Sequence, residues 1–154
     1  MSYGKVFEVE RILILNGPNL NMLGQRDPSI YGAETLADVE RMLSAAGQEL
    51  GVELEFFQSN YEGALVEKIH SALGSFVGIV INPGAFTHYS YALKDALGSV
   101  KIPFVEIHIS NIHAREAFRH TSVLASDAIG QIAGMGTYGY ELALRALVRN
   151  VLNR

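Results

Sequence analysis

The sequence predicts a doubly wound α/β domain built around a five-stranded parallel sheet. Short apolar segments alternate with segments of helical periodicity along the chain, which is the order expected of successive strand–helix units. The segments RILIL (11–15) and VGIVI (77–81) are apolar almost throughout and do not alternate with polar residues. Strands have this composition when helices cover both faces of their sheet.

The individual elements follow from periodicity and boundary residues. Strands are predicted at 11–15, 52–57, 77–81, 104–107 and 128–133. Helices are predicted at 36–51, 62–73, 89–97, 114–118 and 140–152. Thr35 and Asp38 have the spacing of a capping box at the start of the first long helix. Five such units in 154 residues favour one flavodoxin-like domain over residues 11–154, with strand order 2-1-3-4-5 and a loose tail at residues 1–10.

Composition limits the classes of function. The net charge of −4 and the isoelectric point near 5.7 disfavour a nucleic-acid binder, so an anionic ligand would need a local cluster of donors. The absence of cysteine from the chain excludes disulfides and thiolate nucleophiles. No apolar stretch approaches the roughly 18 residues of a membrane span, and the first residues lack a signal-peptide core. We therefore expect a cytoplasmic protein without nucleic-acid or membrane partners.

Polar residues are concentrated where three predicted strands end. The segments NGPNLN (16–21), NPGAFTH (82–88) and HISNIHAR (108–115) follow the first, third and fourth strands. In a doubly wound sheet, ligands bind beyond the carboxyl ends of the strands. The assumed strand order brings the three segments together, so the sequence predicts a ligand site at this edge.

Each polar residue also has a structural interpretation when it is taken alone. His108 could be a hydrogen-bonding residue at a strand end, and Asn82 could shape a turn before a proline. Arg115 and Arg119 could form a solvated helix face, and Tyr31 could anchor its own loop. Turn formation alone nevertheless does not explain why amide- and histidine-rich segments follow three different strands, and this favours the ligand site.

The connection after the first strand is long for a link between a strand and a helix. It runs from Asn19 to Gly32, whereas such links usually have about two to six residues. Glycine and proline punctuate this segment, Arg26 and Tyr31 lie within it, and apolar residues near its start argue against simple disorder. The segment is therefore predicted to be a lid over the site.

Three nucleotide- or phosphate-based interpretations conflict with the sequence. The segment GMGTYG (134–139) matches a dinucleotide-binding pattern, but the chain ends before the strand and acidic residue that should follow, so a tight turn with close helix packing is favoured. Pro18 removes a backbone donor from the first loop, unlike a flavin phosphate loop. Asn16 and Asn82 stand where a phospho-acceptor receiver needs carboxylates.

Three long segments resemble the signature segments of type II dehydroquinases. They are ILNGPNLNMLGQRDPSIYG (14–32), INPGAFTHYSYALKDAL (81–97) and FVEIHISNIHAREAFRHTSVLA (104–125), within a likeness that extends from Arg11 to about Val151. The resemblance implies a flavodoxin-like fold and a homo-oligomer, a dodecamer that is a tetramer of trimers. It also implies the dehydration of 3-dehydroquinate to 3-dehydroshikimate, in the shikimate pathway to aromatic amino acids or in quinate catabolism.

The resemblance also implies roles for individual residues. Tyr31 is the expected general base, with Arg26 as the lid cation beside it. His108 is the expected general acid, and Asn19 is expected to stabilise the enolate intermediate. Substrate contacts are implied for Asn82, His88, Arg119 and the backbone N–H groups of Ile109 and Ser110. Supporting roles are implied for Glu106, which would orient His108, for Arg115, and for Asp95, which would reach a neighbouring subunit's site.

The implied reaction suits these residue types. The substrate is a β-hydroxy ketone, so removal of the proton next to its carbonyl gives an enolate that can expel the hydroxyl group. A tyrosine with a reference pKa near 10 needs roughly 4 kcal/mol of phenolate stabilisation to act as a base at neutral pH. A nearby guanidinium can supply much of it, a histidine can protonate the leaving group, and an amide can stabilise the enolate. No cofactor or metal is required.

Other chemistries and classes stay open at this point. His108 and His113 have a spacing that could hold a metal, but the nearby carboxylates do not complete a convincing ligand set. An imine mechanism needs a lysine, and all four lysines lie outside the strand-end segments: Lys5, Lys68, Lys94 and Lys101. A binding module for a polyhydroxy acid would use the same donors, but it would not need Arg26 and Tyr31 on a lid.

Overall fold

The computed structural model describes residues 8–154 and has a parallel sheet at its centre. The strands are Arg11–Asn16 (β1), Glu53–Gln58 (β2), Gly78–Asn82 (β3), Phe104–His108 (β4) and Gly130–Ala133 (β5). Neighbouring strands all pair in parallel, in the order β2-β1-β3-β4-β5. The predicted α/β flavodoxin-like class and its strand order are confirmed.

Five α-helices connect or follow the strands in the described part of the chain. They are Pro28–Tyr31 (α1), Leu36–Leu50 (α2), Glu62–Ser71 (α3), Tyr91–Val100 (α4) and Tyr138–Leu152 (α5). The capping box at the start of α2 is confirmed, because the Asp38 N–H donates to the Thr35 hydroxyl and the Thr35 N–H donates to the Asp38 carboxylate. The short helix α1 was not predicted.

One predicted helix is wrong. Residues 114–118 do not form a helix; the chain instead makes two 3₁₀ turns at Ile112–Ala114 and Ala117–His120. Arg115 is extended between them, with φ −112° and ψ −166°, and so interrupts helical hydrogen bonding. The side chain of Asn111 caps the first turn by accepting from the His113 N–H.

Two apolar cores lie on opposite faces of the sheet. Alternate residues of β1 point to opposite faces, so Ile12 and Ile14 pack with α2 and α5, while Leu13 and Leu15 pack with α3 and α4. All four side chains are completely buried. This two-sided burial explains why the strand sequences are continuously apolar.

The glycine-rich segment 134–139 forms the turn after β5 and the first two residues of α5. Gly134 has φ +89°, a left-handed conformation that glycine adopts without strain. A Cβ atom on Gly139 would lie 2.8 Å from the Ile107 side chain, so α5 packs closely against β4 at this point. The geometry agrees with the predicted tight turn and close helix packing.

The structure describes only part of the predicted N-terminal tail. Residues 1–7 of the predicted tail (1–10) lie outside the described residues, and residues 8–10 have no regular secondary structure. Within residues 8–154, no helix has the length and apolar character to cross a membrane. The domain boundary at residue 11 stays a prediction.

Candidate active site

A pocket lies at the carboxyl edge of the sheet, where the three polar segments converge. Its lining combines the strand-end loops with the segment 19–32. It is lined by Pro18, Asn19, Leu20, Arg26, Tyr31, Asn82, Gly84, Ala85, His88, His108, Ile109, Ser110, Ile112, Arg115 and Arg119. Every residue that the sequence predicted for the site lines this pocket, except Glu106 and Asp95.

The first two strand-end loops are held together at the base of the pocket. Asn16 and Asn82 are register partners at the ends of β1 and β3, and the Gly17 N–H donates to the Asn82 carbonyl at 2.8 Å. A Cβ atom on Gly17 would lie 2.5 Å from the Pro83 carbonyl oxygen, so any side chain there would separate the loops. The approach places Asn19 and Asn82 on the same pocket.

His108 ends β4 and is 6% exposed. Its Nε2 atom lies 2.5 Å from Oε2 of Glu106, a carboxylate with no exposed surface. Glu106 therefore does not touch the pocket directly, and it contacts the histidine from behind. This geometry is what the predicted orienting role of Glu106 requires.

Three further side chains hydrogen-bond to Glu106, and none of them was predicted from the sequence. The Thr87 hydroxyl donates to Oε2 at 3.0 Å, and the Gln131 amide donates to Oε2 at 2.6 Å. The Ser122 hydroxyl donates to Oε1 at 2.7 Å. The carboxylate is thus surrounded by donors from several separate segments of the chain, which compensate for its burial.

These contacts decide the ionisation of Glu106. Burial raises the pKa of the Glu106 carboxyl, but hydrogen bonds from His108, Ser122 and Gln131, together with the charge of His108, lower it by more. The net effect is a pKa below the ordinary glutamate value. Glu106 is therefore a carboxylate at neutral pH and accepts a hydrogen bond from His108.

Tyr31 lines the same pocket and lies close to two guanidinium groups. The guanidinium carbon of Arg26 is 4.2 Å from the centre of the Tyr31 ring, and that of Arg115 is 5.4 Å away. Arg115 is also held by the Ser110 hydroxyl, which accepts from its Nη1 at 3.2 Å. Both cations are within the range of a cation–π contact, so positive charge surrounds the tyrosine.

The local sequence explains how Tyr31 is presented. Asp27 caps α1 by accepting from the Ser29 N–H at 3.0 Å, and Pro28 occupies the first helical position. Gly32 ends the helix with φ +77°. This single turn, inside the predicted lid, aligns Tyr31 with Arg26 on the pocket.

The remaining predicted residues differ in their surroundings. His88 Nδ1 lies 2.8 Å from the Thr121 carbonyl oxygen and donates a hydrogen bond to it. Arg119 lines the pocket while its Nε donates to Glu116 at 2.7 Å. Asp95 is exposed on α4 and lies outside this pocket.

Lys68, Lys94 and Lys101 do not line the pocket, and Lys5 lies outside the described residues. Lys68 pairs with Glu55, and Lys94 pairs with Asp127 at 2.6 Å. Lys101 ends α4 in a left-handed conformation. Within residues 8–154, no three histidine, aspartate or glutamate side chains are grouped so that they could hold a metal ion.

The chain is similar in sequence to known proteins over most of its length. The family model described as Dehydroquinase class II matches residues 10–148. A 3-dehydroquinate dehydratase of Anoxybacillus flavithermus is 59% identical over 138 residues, which are 90% of this chain and 93% of that protein. One of Endomicrobium trichonymphae is 56% identical over 140 residues, or 91% of this chain and 98% of that protein.

Solved structures agree with these sequence matches. A type II dehydroquinase from Propionibacterium acnes superposes with a TM-score of 0.85 at 47% identity, covering 89% of this chain and 94% of that one. A type II dehydroquinase from Butyrivibrio crossotus superposes with a TM-score of 0.87 at 48% identity, covering 90% and 97%. The similarity therefore includes the fold as well as the sequence over most of each chain.

Proposed function

The chain belongs to the class II dehydroquinase family, and we propose that its pocket dehydrates 3-dehydroquinate with Tyr31 as the base and His108 as the acid. Its activity is that of a 3-dehydroquinate dehydratase, an enzyme of the shikimate pathway. One observation carries the residue assignment. A tyrosine flanked by two guanidinium groups shares the pocket with a histidine that is paired with a buried carboxylate.

The first step is removal of the proton next to the substrate carbonyl. Tyr31 accepts this proton, and the guanidinium groups of Arg26 and Arg115 lie within cation–π range of its ring. Electron density moves to the carbonyl oxygen and forms an enolate. The side-chain amide of Asn19 is a neutral donor on the pocket and stabilises this oxygen.

The second step is loss of the hydroxyl group as water. His108 donates a proton to the leaving oxygen, the enolate re-forms the carbonyl, and the carbon–oxygen bond breaks. Because Nε2 of His108 is hydrogen-bonded to Glu106, we assign proton delivery to Nδ1 of the ring. Tyr31 has gained one proton and His108 has lost one, so a return of protons through solvent resets the site.

The other pocket residues bind the substrate. The backbone N–H groups of Ile109 and Ser110 take its carboxylate, and their position next to Arg115 adds positive charge nearby. The side chains of Asn82, His88 and Arg119 contact its hydroxyl groups. This set of donors explains how a chain with a net charge of −4 can bind an anionic substrate.

The reaction we propose uses neither an imine nor a metal. The enolate is stabilised by an amide, and the proton transfers are made by a tyrosine and a histidine. Lys68 and Lys94 are engaged in ion pairs away from the pocket, which supports a route without a lysine adduct. Borohydride added with the substrate should therefore leave no covalent adduct detectable by mass spectrometry.

Assembly is the second part of the proposal. We propose a homo-oligomer, a dodecamer arranged as a tetramer of trimers, in which Asp95 reaches the site of a neighbouring subunit. Its exposure on α4 supports this, as do the exposed aromatic side chains of Tyr61 (78%) and Tyr91 (68%), which a subunit contact would bury. The cytoplasmic location stays a prediction.

The function is tested by mixing the purified protein with 3-dehydroquinate and following the ultraviolet absorbance of the enone product. Turnover by the wild type, and its loss in Tyr31→Phe, is the expected result. Tyr138→Phe is a matched control, because Tyr138 is 52% exposed and lies outside the pocket. Binding of the substrate without any enone signal would instead identify a binding module.

A further inference from the structure

A completely buried tyrosine joins the two central strands below the pocket. Tyr140 lies in the first turn of α5 and has no exposed surface. Its hydroxyl oxygen is 2.6 Å from Oδ1 of Asn16 and 2.9 Å from Nδ2 of Asn82. Because β1 and β3 flank the point where the strand order reverses, this one hydroxyl contacts both sides of the ligand-binding edge.

The directions of the hydrogen bonds determine which atom of Asn82 faces the pocket. The Gly84 N–H donates to Asn82 Oδ1 at 3.2 Å, so the amide oxygen points toward Gly84. The single proton of Tyr140 goes to Asn16, so Tyr140 accepts from the Asn82 nitrogen. An amide nitrogen carries two hydrogens, which leaves the second N–H for a ligand in the pocket that Asn82 lines.

The surroundings hold this orientation in place. If the Asn82 amide turned over, its nitrogen would oppose the Gly84 N–H, and Tyr140 would face two oxygen atoms with one proton to give. Asn16 and Asn82 are 1% and 3% exposed, so water cannot easily replace a lost partner. Burial raises the pKa of Tyr140, so its hydroxyl keeps the proton that this arrangement needs.

We infer that Tyr140 is a positioning residue that holds Asn82 with an N–H toward the substrate. This inference rests on the proposed function, since it takes Asn82 to be a substrate contact. Asn82 then selects for a substrate group that can accept a hydrogen bond at this position. Phenylalanine at position 140 would keep the ring in the core, but it would remove one of the two hydrogen bonds that hold the Asn82 amide and leave only the one from the Gly84 N–H.

A double-mutant cycle tests whether Tyr140 acts through Asn82. The variants are Tyr140→Phe, Asn82→Ala and the double variant, each assayed for kcat and KM with 3-dehydroquinate. Tyr140→Phe alone should lower kcat/KM by about tenfold, mainly through a higher KM. In the Asn82→Ala background the same change should have less than about a twofold effect, because the amide it positions is gone.

Thermal unfolding separates positioning from general destabilisation. Tyr140→Phe removes the hydroxyl that donates to Asn16 in either background, so it should lower the melting temperature in both. The loss of stability should therefore persist in the Asn82→Ala background while the kinetic loss disappears. Equal kinetic losses in both backgrounds would overturn the inference. Tyr138→Phe, on the same helix but 52% exposed, should change neither quantity.

A second variant keeps the inference testable if Tyr140→Phe does not fold. Asn16→Ala removes the acceptor of the Tyr140 proton, and Asn16 does not line the pocket. Tyr140 can then donate to a turned Asn82 amide, so kcat/KM should fall several-fold, again only when Asn82 is present. Unchanged kinetics in Asn16→Ala would contradict the inference. A wild type without turnover would refute the proposed function instead, so the two failures are distinguishable.

Discussion

The two proposed proton-transfer groups lie on one pocket but are held in opposite ways. His108 is 6% exposed at the end of β4 and contacts Glu106, which is fully buried and hydrogen-bonded by side chains from three other segments. Tyr31 is half-buried on the one-turn helix α1. Among the described residues, no hydrogen bond joins residues 26–31 to a residue more than four positions away in the sequence.

The contrast between the two groups shows how a single site can be rigid and accessible at once. The proposed acid, His108, is held by a buried polar network before the substrate binds, so binding need not supply free energy to orient it. The base is carried by a segment that is joined to the core only by packing, so this segment can open without breaking the network. Changes on the acid side should therefore cost stability as well as activity, while changes on the lid should cost activity alone.

The largest effect is expected from Tyr31→Phe. Removing the base should lower kcat by about 10³-fold or more, whereas the affinity for 3-dehydroquinate should stay within about tenfold. The melting temperature should stay close to that of the wild type, because no hydrogen bond of the Tyr31 side chain is lost among the described residues. A variant that keeps near-normal turnover would remove Tyr31 from the role of base.

Glu106→Gln should have the next largest effect on kcat. Unlike Tyr31→Phe, it should also lower the melting temperature. Glutamine has one acceptor oxygen where the carboxylate has two, so at least one of the donors around position 106 would face an amide nitrogen, and the network that orients His108 should weaken. We expect kcat to fall by about 10²-fold and the melting temperature to fall as well. Loss of activity with an unchanged melting temperature would contradict the contrast between the rigid acid side and the lid.

The pH dependence of stability tests whether the charge of Glu106 stabilises the acid side of the site. The pKa of Glu106 lies below its ordinary value, so ionisation of this group stabilises the fold above the ordinary pKa. That contribution is lost as the pH falls through the lowered pKa, and Glu106→Gln lacks it at every pH. The difference in melting temperature between the wild type and the variant should therefore narrow as the pH is lowered from about 7 toward about 3. A constant difference would show that the charge of Glu106 does not contribute.

The sequence predicted the strand framework from local signals, and it predicted the pocket from those strands together with the assumed strand order. The strands β1 and β3 are almost entirely apolar, and residues in the loops that follow them, such as Asn19 and His88, could be assigned to one edge. The helix α1 was missed although Asp27, Pro28 and Gly32 are typical boundary residues, because four residues carry no periodicity.

The supporting networks could not be predicted, since they join residues that are distant in the sequence. Tyr140 and Asn16 are 124 positions apart, and a tyrosine on an amphipathic helix looks like any other core aromatic residue. Gln131 and Ser122 reach Glu106 from 25 and 16 positions away. Which donor meets which acceptor is decided by strand order and register, which periodicity alone does not specify.

The smallest effect, and the most direct test of the lid, is expected in limited proteolysis. Trypsin needs an extended, accessible segment, and the bond after Arg26 precedes the four exposed residues 27–30. In the free protein this bond should be cut first. The product 3-dehydroshikimate, at saturating concentration, should slow the cut several-fold, because Arg26 and Tyr31 would close on the bound ligand.

Arg41 provides the internal control for this experiment. Its side chain is 71% exposed, but it lies in the middle of α2, where cleavage requires local unfolding of a long helix. Cleavage after Arg41 should be slow, and the ligand should slow it only as far as it stabilises the whole fold. Protection that is larger at Arg26 than at Arg41 thus reports closure of the lid. Equal protection at both bonds would mean that the ligand only stabilises the domain, and that Tyr31 is as firmly held as His108.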